Sequence, residues 1–246
     1  MKQTELTAYL NRFLDIESYK DYAPNGLQVE GKQEIKKVVT GVTACQALLE
    51  KAVELQADAV MVHHGYFWKS EPETITGFKY QRIKTLIDYD INLYGYHLPL
   101  DGHAELGNNA LLGKLWQLED KTPEPGLLRL GELSEPMKID EFKQLVDNTL
   151  DRTSLHLPGG PELVKTVAWC SGGAQGYIDQ AISWNADVYI SGEVSEQTTH
   201  LAKECGIHYL AAGHHATETH GIRALGEHIE NRFGLNVTFV DIPNPV

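Results

Sequence analysis

Two stretches of this chain, 129 residues apart, follow one plan, and that repetition constrains the fold more than any other feature. The first, VVTGVTACQALLEKAVELQADAVMVHHG, starts at Val38; the second, VAWCSGGAQGYIDQAISWNADVYISGEV, starts at Val167. At that spacing Ala52 meets Ala181, Ala57 meets Ala186 and Asp58 meets Asp187, while His63 and His64 meet Gly192 and Glu193. In the first stretch an apolar run is followed by apolar positions at helical spacing (Leu48, Leu49, Ala52, Val53) and then by a second apolar run, ADAVMV. That is the pattern of strand, helix, strand. A second echo, at a spacing of 117, places His97-Leu-Pro-Leu-Asp101 just past a strand in one half and His214-His-Ala-Thr-Glu218 in the other. The expected fold is therefore α/β: two pseudo-repeated α/β lobes with mostly parallel sheets, and a site at the C-terminal ends of strands between the lobes.

The chain reads as one domain over 1–246, with approximate lobes 1–120 and 121–246. Between them, about 118–165, the composition changes. Pro123, Pro125, Pro136, Pro158 and Pro161 fall there with one helical stretch near Ile139 to Leu150, so this segment reads as the connection between the halves. The opening MKQTELTAYLNRFLDI puts Leu6, Leu10, Phe13 and Leu14 on one helical face and lacks the pattern of a secretory leader. No run approaches the roughly 18 apolar residues a membrane span needs. Cys45, Cys170 and Cys205 are odd in number and far apart, which points to free thiols and a cytoplasmic location. A net charge of −13 disfavours nucleic acid as a partner unless Lys and Arg gather locally.

Chemistry concentrates at three strand ends. His63 and His64 end an apolar strand and precede Gly65, and ligands in open α/β sheets gather beyond such ends. Neighbours in an extended segment point opposite ways, so the pair can serve two different ions. Asp101 follows His97 past another strand, where Pro99 argues against a regular helix interior. A carboxylate can bridge two cations, which makes Asp101 the bridging candidate. In Gly213-His214-His215-Ala-Thr-Glu218 a helix is expected to begin, because Ile222, Leu225 and Ile229 form a face. His214 and Glu218 then stand at i, i+4 and His215 and Glu218 at i, i+3; the echo with His97 and Asp101 selects His214. Imidazoles and carboxylates without thiolates suit Zn, Mn, Fe, Co or Ni. Ser171-Gly172-Gly173-Ala174 is neither GxGxxG nor a P-loop and reads as a tight turn in preference to an anion cradle. The histidines at 103, 156, 200, 208, 220 and 228 share no pattern and are expected to be structural or exposed.

The segments YAPNGLQVEG, VVTGVTA, ADAVMVHHGYFWK, YGYHLPLD, GNNALLG, ISGEVSEQ and AAGHHATE resemble, in order and across most of the chain, the Nif-three-like family, also called GTP cyclohydrolase I type 2 homologues. The resemblance implies a two-lobed α/β fold, a dinuclear metal site and a toroidal homohexamer with its sites facing the interior. Carried over motif by motif, the metal ligands are His63, His64, Asp101, His214 and Glu218, holding two divalent transition-metal ions per subunit, with His97 close by. The expected activity is hydrolysis of a small-molecule substrate, a nucleotide or related cyclic amide or phosphoester, by a metal-bridging hydroxide. His97 would orient the nucleophile or shuttle a proton. The alternative is a non-enzymatic ring-shaped metalloprotein that binds a nucleic-acid strand, metal or a protein partner.

Overall fold

A computed structural model describes residues 1–246. In chain order its elements are α1 (Gln3–Phe13), β1 (Gly26–Val29), β2 (Lys37–Thr43), α2 (Gln46–Glu54), β3 (Ala59–His64), α3 (Gly77–Asp88), β4 (Asn92–Gly95), α4 (Leu98–Gly102), α5 (Asn108–Leu115), β5 (Glu119–Asp120), β6 (Arg129–Lys138), α6 (Ile139–Leu150), β7 (Leu155–Leu157), β8 (Leu163–Cys170), α7 (Ile178–Ser183), β9 (Val188–Ser191), α8 (Thr198–Cys205), β10 (His208–Ala211), α9 (His214–Thr217), α10 (Thr219–Phe233) and β11 (Asn236–Phe239). They pack as two compact α/β units, one of residues 1–106 and 221–242 and the other of 107–220 and 243–246. Lobes drawn at 1–120 and 121–246 differ from these units chiefly because α10 and β11 return to the first.

The first unit holds a sheet of order β1-β4-β3-β2-β11. Strands β11, β2, β3 and β4 run parallel, and β1 lies antiparallel on β4. Both faces are buried, as a parallel sheet requires. Val38, Val42, Ala59, Met61, Tyr94 and Tyr96 face Leu6 and Leu10 of α1 and Ile222, Leu225 and Ile229 of α10. The alternate residues Val39, Val60, Val62 and Leu93 face Leu48, Leu49 and Ala52 of α2 and Ile83 and Leu86 of α3. Successive strand side chains point to opposite faces, so near-continuous apolar runs serve two helical layers at once.

The second unit repeats this core. Its sheet runs β5-β6-β8-β9-β10-β7, with β8, β9 and β10 parallel and β7 antiparallel on β10. Thus β7 takes the place of β1, while antiparallel β6 replaces parallel β11 beside the first repeat strand. The stretch 118–165 is consequently more than a connection: it supplies β5, β6 and β7 to the second sheet. Of the five prolines that suggested a connection, Pro136 lies in a strand. It sits inside β6, between Glu132 and Met137, where the ladder with β8 breaks register, and a proline without an N–H is tolerated in such a gap.

The repeat extends to single hydrogen bonds. Asp58 Oδ2 accepts from the amides of Lys36 and Lys37 at 2.9 and 3.0 Å, and Asp187 Oδ2 from those of Lys165 and Thr166 at 2.8 and 2.9 Å. Gln56 and Asn185, 129 apart, both take left-handed φ, 54° and 55°, where the helix turns into the next strand. We expect Asp58→Ala and Asp187→Ala each to cost about 1–3 kcal/mol in urea unfolding, since each removes a charged acceptor from two amides. A cost in one half and none in the other would break the equivalence.

The second echo needs correcting by one residue. Asn92 N donates to Asp58 O and His208 N to Asp187 O; Tyr96 N donates to Val62 O and Ala212 N to Ser191 O. These pairs are 116 apart, so the backbone counterpart of His97 is Gly213, not His214. Gly213, at φ 98°, takes the position before the helical turn, as His97 does before α4.

Candidate metal centre

In the first unit, β3 delivers His63 and His64 and the turn after β4 delivers His97 and Asp101. His63 has no exposed surface. Its Nδ1 lies 3.0 Å from the Tyr96 carbonyl, which can only accept, so Nδ1 donates this bond. That Nε2 stands 3.6 Å from Asp101 Oδ2. His64 turns toward the strand on the other side, with Nδ1 3.3 Å from Thr43 Oγ1. The residues therefore diverge to β4 and β2, while their rings remain 4.5 Å apart. Pro99 lies in the first turn of α4, a position that tolerates proline, and so permits the short helix that carries buried Asp101.

His97 is fixed from two sides. Its amide donates to Asn25 Oδ1 at 2.8 Å, and its Nδ1 donates to Asp21 Oδ1 at 2.7 Å. Asp21 also accepts from Asn25 Nδ2 and from the amides of Tyr22 and Leu98. Burial pushes the Asp21 carboxyl upward, but the bonds from His97, Asn25 and Leu98 outweigh it and hold its pKa down at about 2. Trp68 meets the His97 ring edge-on, at 4.8 Å and 78°. His63, His64 and His97 each offer a ring nitrogen within 4.8 Å of the other two.

In the second unit, His214 opens α9 and Glu218 follows that single turn. His214 Nε2 lies 3.2 Å from Glu218 Oε2, the i, i+4 pair read from the sequence. Its Nδ1 donates to Glu193 Oε1 at 2.7 Å. Burial lowers the His214 pKa, but the bonds and charges of Glu218 and Glu193 overcome this and raise it to about 9. The turn at Ser171 to Ala174 supports this pair. Ser171 N donates to Asn109 Oδ1, Gly172 N to Thr217 Oγ1 and Ala174 N to Ser191 Oγ, so these amides are spent inside the unit rather than offered to an anion. Gly172 has φ 67°, and a Cβ there would press on Glu218 Oε1.

The sequence model of the family described as Duf34/NIF3 (NGG1p interacting factor 3) matches residues 1–245. The chain belongs to the Duf34/NIF3 family. Among similar relatives, the GTP cyclohydrolase 1 type 2 homolog of Yersinia pestis is 53% identical over 246 residues and that of Salmonella typhimurium 55%, each pair covering 100% of both chains. The solved structure of protein ybgI superposes at a TM-score of 0.97 with 54% identity, again over 100% of both chains.

The donor set of this Duf34/NIF3 chain could hold a metal ion. All four histidines engage an oxygen through Nδ1: Tyr96 O for His63, Thr43 Oγ1 for His64, Asp21 for His97 and Glu193 for His214. Such partners fix tautomer and ring orientation at metal sites, leaving Nε2 to ligate. Asp21 and Glu193 were missed by the sequence reading. Asp21 stands one residue before YAPNGLQVEG, and Glu193 stands opposite His64 in the repeat. Three of the histidines without a pattern have local roles: His103 Nδ1 accepts from the amides of Glu105 and Leu106, His228 pairs with Tyr9, and His208 donates to Pro161 O. No helix is long and apolar enough to cross a membrane.

Proposed function

We propose that this protein is a dinuclear metal-dependent hydrolase acting on a nucleotide or related small cyclic amide or phosphoester. His63, His64 and Asp101 of the first unit and His214 and Glu218 of the second are the ligands in this reading. The observation that carries it is the braced set itself: imidazoles locked through Nδ1 and set beside buried carboxylates, beyond the ends of parallel strands in each repeat. Two divalent ions would supply Lewis acidity and a water acidic enough to react at neutral pH. Asp21 holds the His97 ring so that Nε2 can take or give a proton, and Trp68 limits its rotation.

Elemental analysis after reconstitution with Mn or Zn is expected to approach two ions per chain. A ceiling of one, unchanged by Asp101→Ala, rejects the dinuclear reading. Hydrolysis is tested by screening the loaded protein against nucleotides, cyclic nucleotides and phosphodiesters, with His63→Ala as control. Turnover that survives His63→Ala belongs to a contaminant, and absence of turnover on all three classes rejects the nucleotide and phosphoester assignment. The assembly proposed is a toroidal homohexamer, and family membership supports it. Sedimentation equilibrium at micromolar concentration should return six chains, and a monomer would overturn it.

A further inference from the structure

We infer that His63, His64 and His97 form a metal-capture set within the first unit, able to take one divalent ion without a ligand from the second. The inference rests on the reading of His63 and His64 as ligands and gives His97 a second duty as a third nitrogen donor.

Three observations carry it. The three rings come together from two strand ends, with centroids 4.5, 5.1 and 5.7 Å apart, and each offers a nitrogen within 4.8 Å of the others. An ion about 2.0–2.1 Å from each nitrogen needs them roughly 3.4 Å apart in tetrahedral geometry, so ring shifts of about an ångström suffice. Each ring is already oriented through Nδ1, and His97 most firmly, because Asp21 is itself fixed by Asn25, Tyr22 and Leu98. A carboxylate behind an imidazole is the arrangement that orients a ligand and raises its basicity. Finally, every residue of the set and its supports, from Asp21 to His97, lies in one compact unit.

Three imidazoles with an open fourth position suit Zn(II) and Co(II) and are poor for Mg(II), which prefers oxygen. This selectivity separates the capture set from the full ligand set, which adds carboxylates. In this proposal the nitrogen set takes the first ion beside the Asp101 carboxylate of the same unit, and His97 gives it up once Glu218 of the second unit completes the coordination.

The test uses the full-length chain carrying His214→Ala and Glu218→Ala together, titrated with Co(II) by visible absorption and by calorimetry. One Co(II) per chain is expected, with the intense d–d bands of a low-coordinate nitrogen site, and Mg(II) should not compete. In that background His97→Ala should weaken Co(II) binding at least about 100-fold, the loss of a direct ligand, and Asp21→Asn about 10–100-fold. Far-UV circular dichroism monitors folding, and His97→Gln replaces the alanine variant should that fail to fold. A double variant that binds no Co(II), or one whose binding ignores His97, overturns the capture set. If the wild type binds two ions while the double variant binds none, the dinuclear reading stands and the capture set falls. A wild type limited to one ion, lost with His97, has the reverse meaning.

Discussion

His214→Ala is expected to lower divalent-metal affinity by about three powers of ten, whereas His215→Ala should cost at most about 10–100-fold, the range for a residue outside the coordination sphere. The two are adjacent, and His214 carries the bonds that brace a ligand ring. His214 is clamped between Glu193 and Glu218, at 2.7 and 3.2 Å. His215 directs its amide to Val246 O. The same clamp fixes the pH dependence. In the metal-free protein His214 keeps its proton up to pH about 9, because the two carboxylates outweigh the effect of burial. A metal must displace that proton, so affinity should rise up to about tenfold per pH unit between pH 7 and 9 and then level off. The sign for stability is opposite. A pKa raised from 6.5 to about 9 gives the metal-free fold a contribution that is complete below pH 6.5 and lost as pH rises through 9. Calorimetric titration of both variants in one buffer, with unfolding of the metal-free wild type at pH 7 and 9.5, checks all three expectations. Equal losses for the two variants would remove His214 from the ligand set.

Gly172→Ala should destabilise the fold by about 2–5 kcal/mol and impair metal binding as well. Alanine at φ 67° costs about 1–2 kcal/mol from its left-handed backbone alone. Its Cβ would also press on Glu218 Oε1 and sit 3.2 Å from His214 Nε2. Glu218 is only 2% exposed, so it has little room to yield, and overpacking of this kind adds about 1–3 kcal/mol. Gly206 is the matched control: its φ is 71°, but a Cβ there meets nothing within 4 Å. Gly206→Ala should therefore cost only the backbone contribution and leave metal affinity unchanged. Urea unfolding and zinc calorimetry on the two variants decide the point; indistinguishable results would mean that the Gly172 turn does not shape the Glu218 pocket.

Sequence alone determined whatever depends on short-range periodicity. Apolar runs marked β2, β3 and β4, helical spacing marked α1, α2 and α6, the repeat at 129 carried β8 and β9, and the second echo marked the strand β10. It also marked His63, His64, Asp101, His214 and Glu218 as strand-end residues, because the parallel strands of such a sheet deliver their C-terminal ends to the same edge. Tertiary structure alone decided what depends on closing long loops. The Asp21 carboxylate reaches His97 across 76 residues and Glu193 reaches His214 across 21, and no pattern of period two or 3.6 encodes either contact. Only the strand register exposed the one-residue slip between the echoes, since similar residues 117 apart concealed backbone positions 116 apart. The return of α10 and β11 to the first unit had no local signal either, because a strand's neighbour in a sheet is chosen by packing across the whole unit rather than by the residues beside it in the chain.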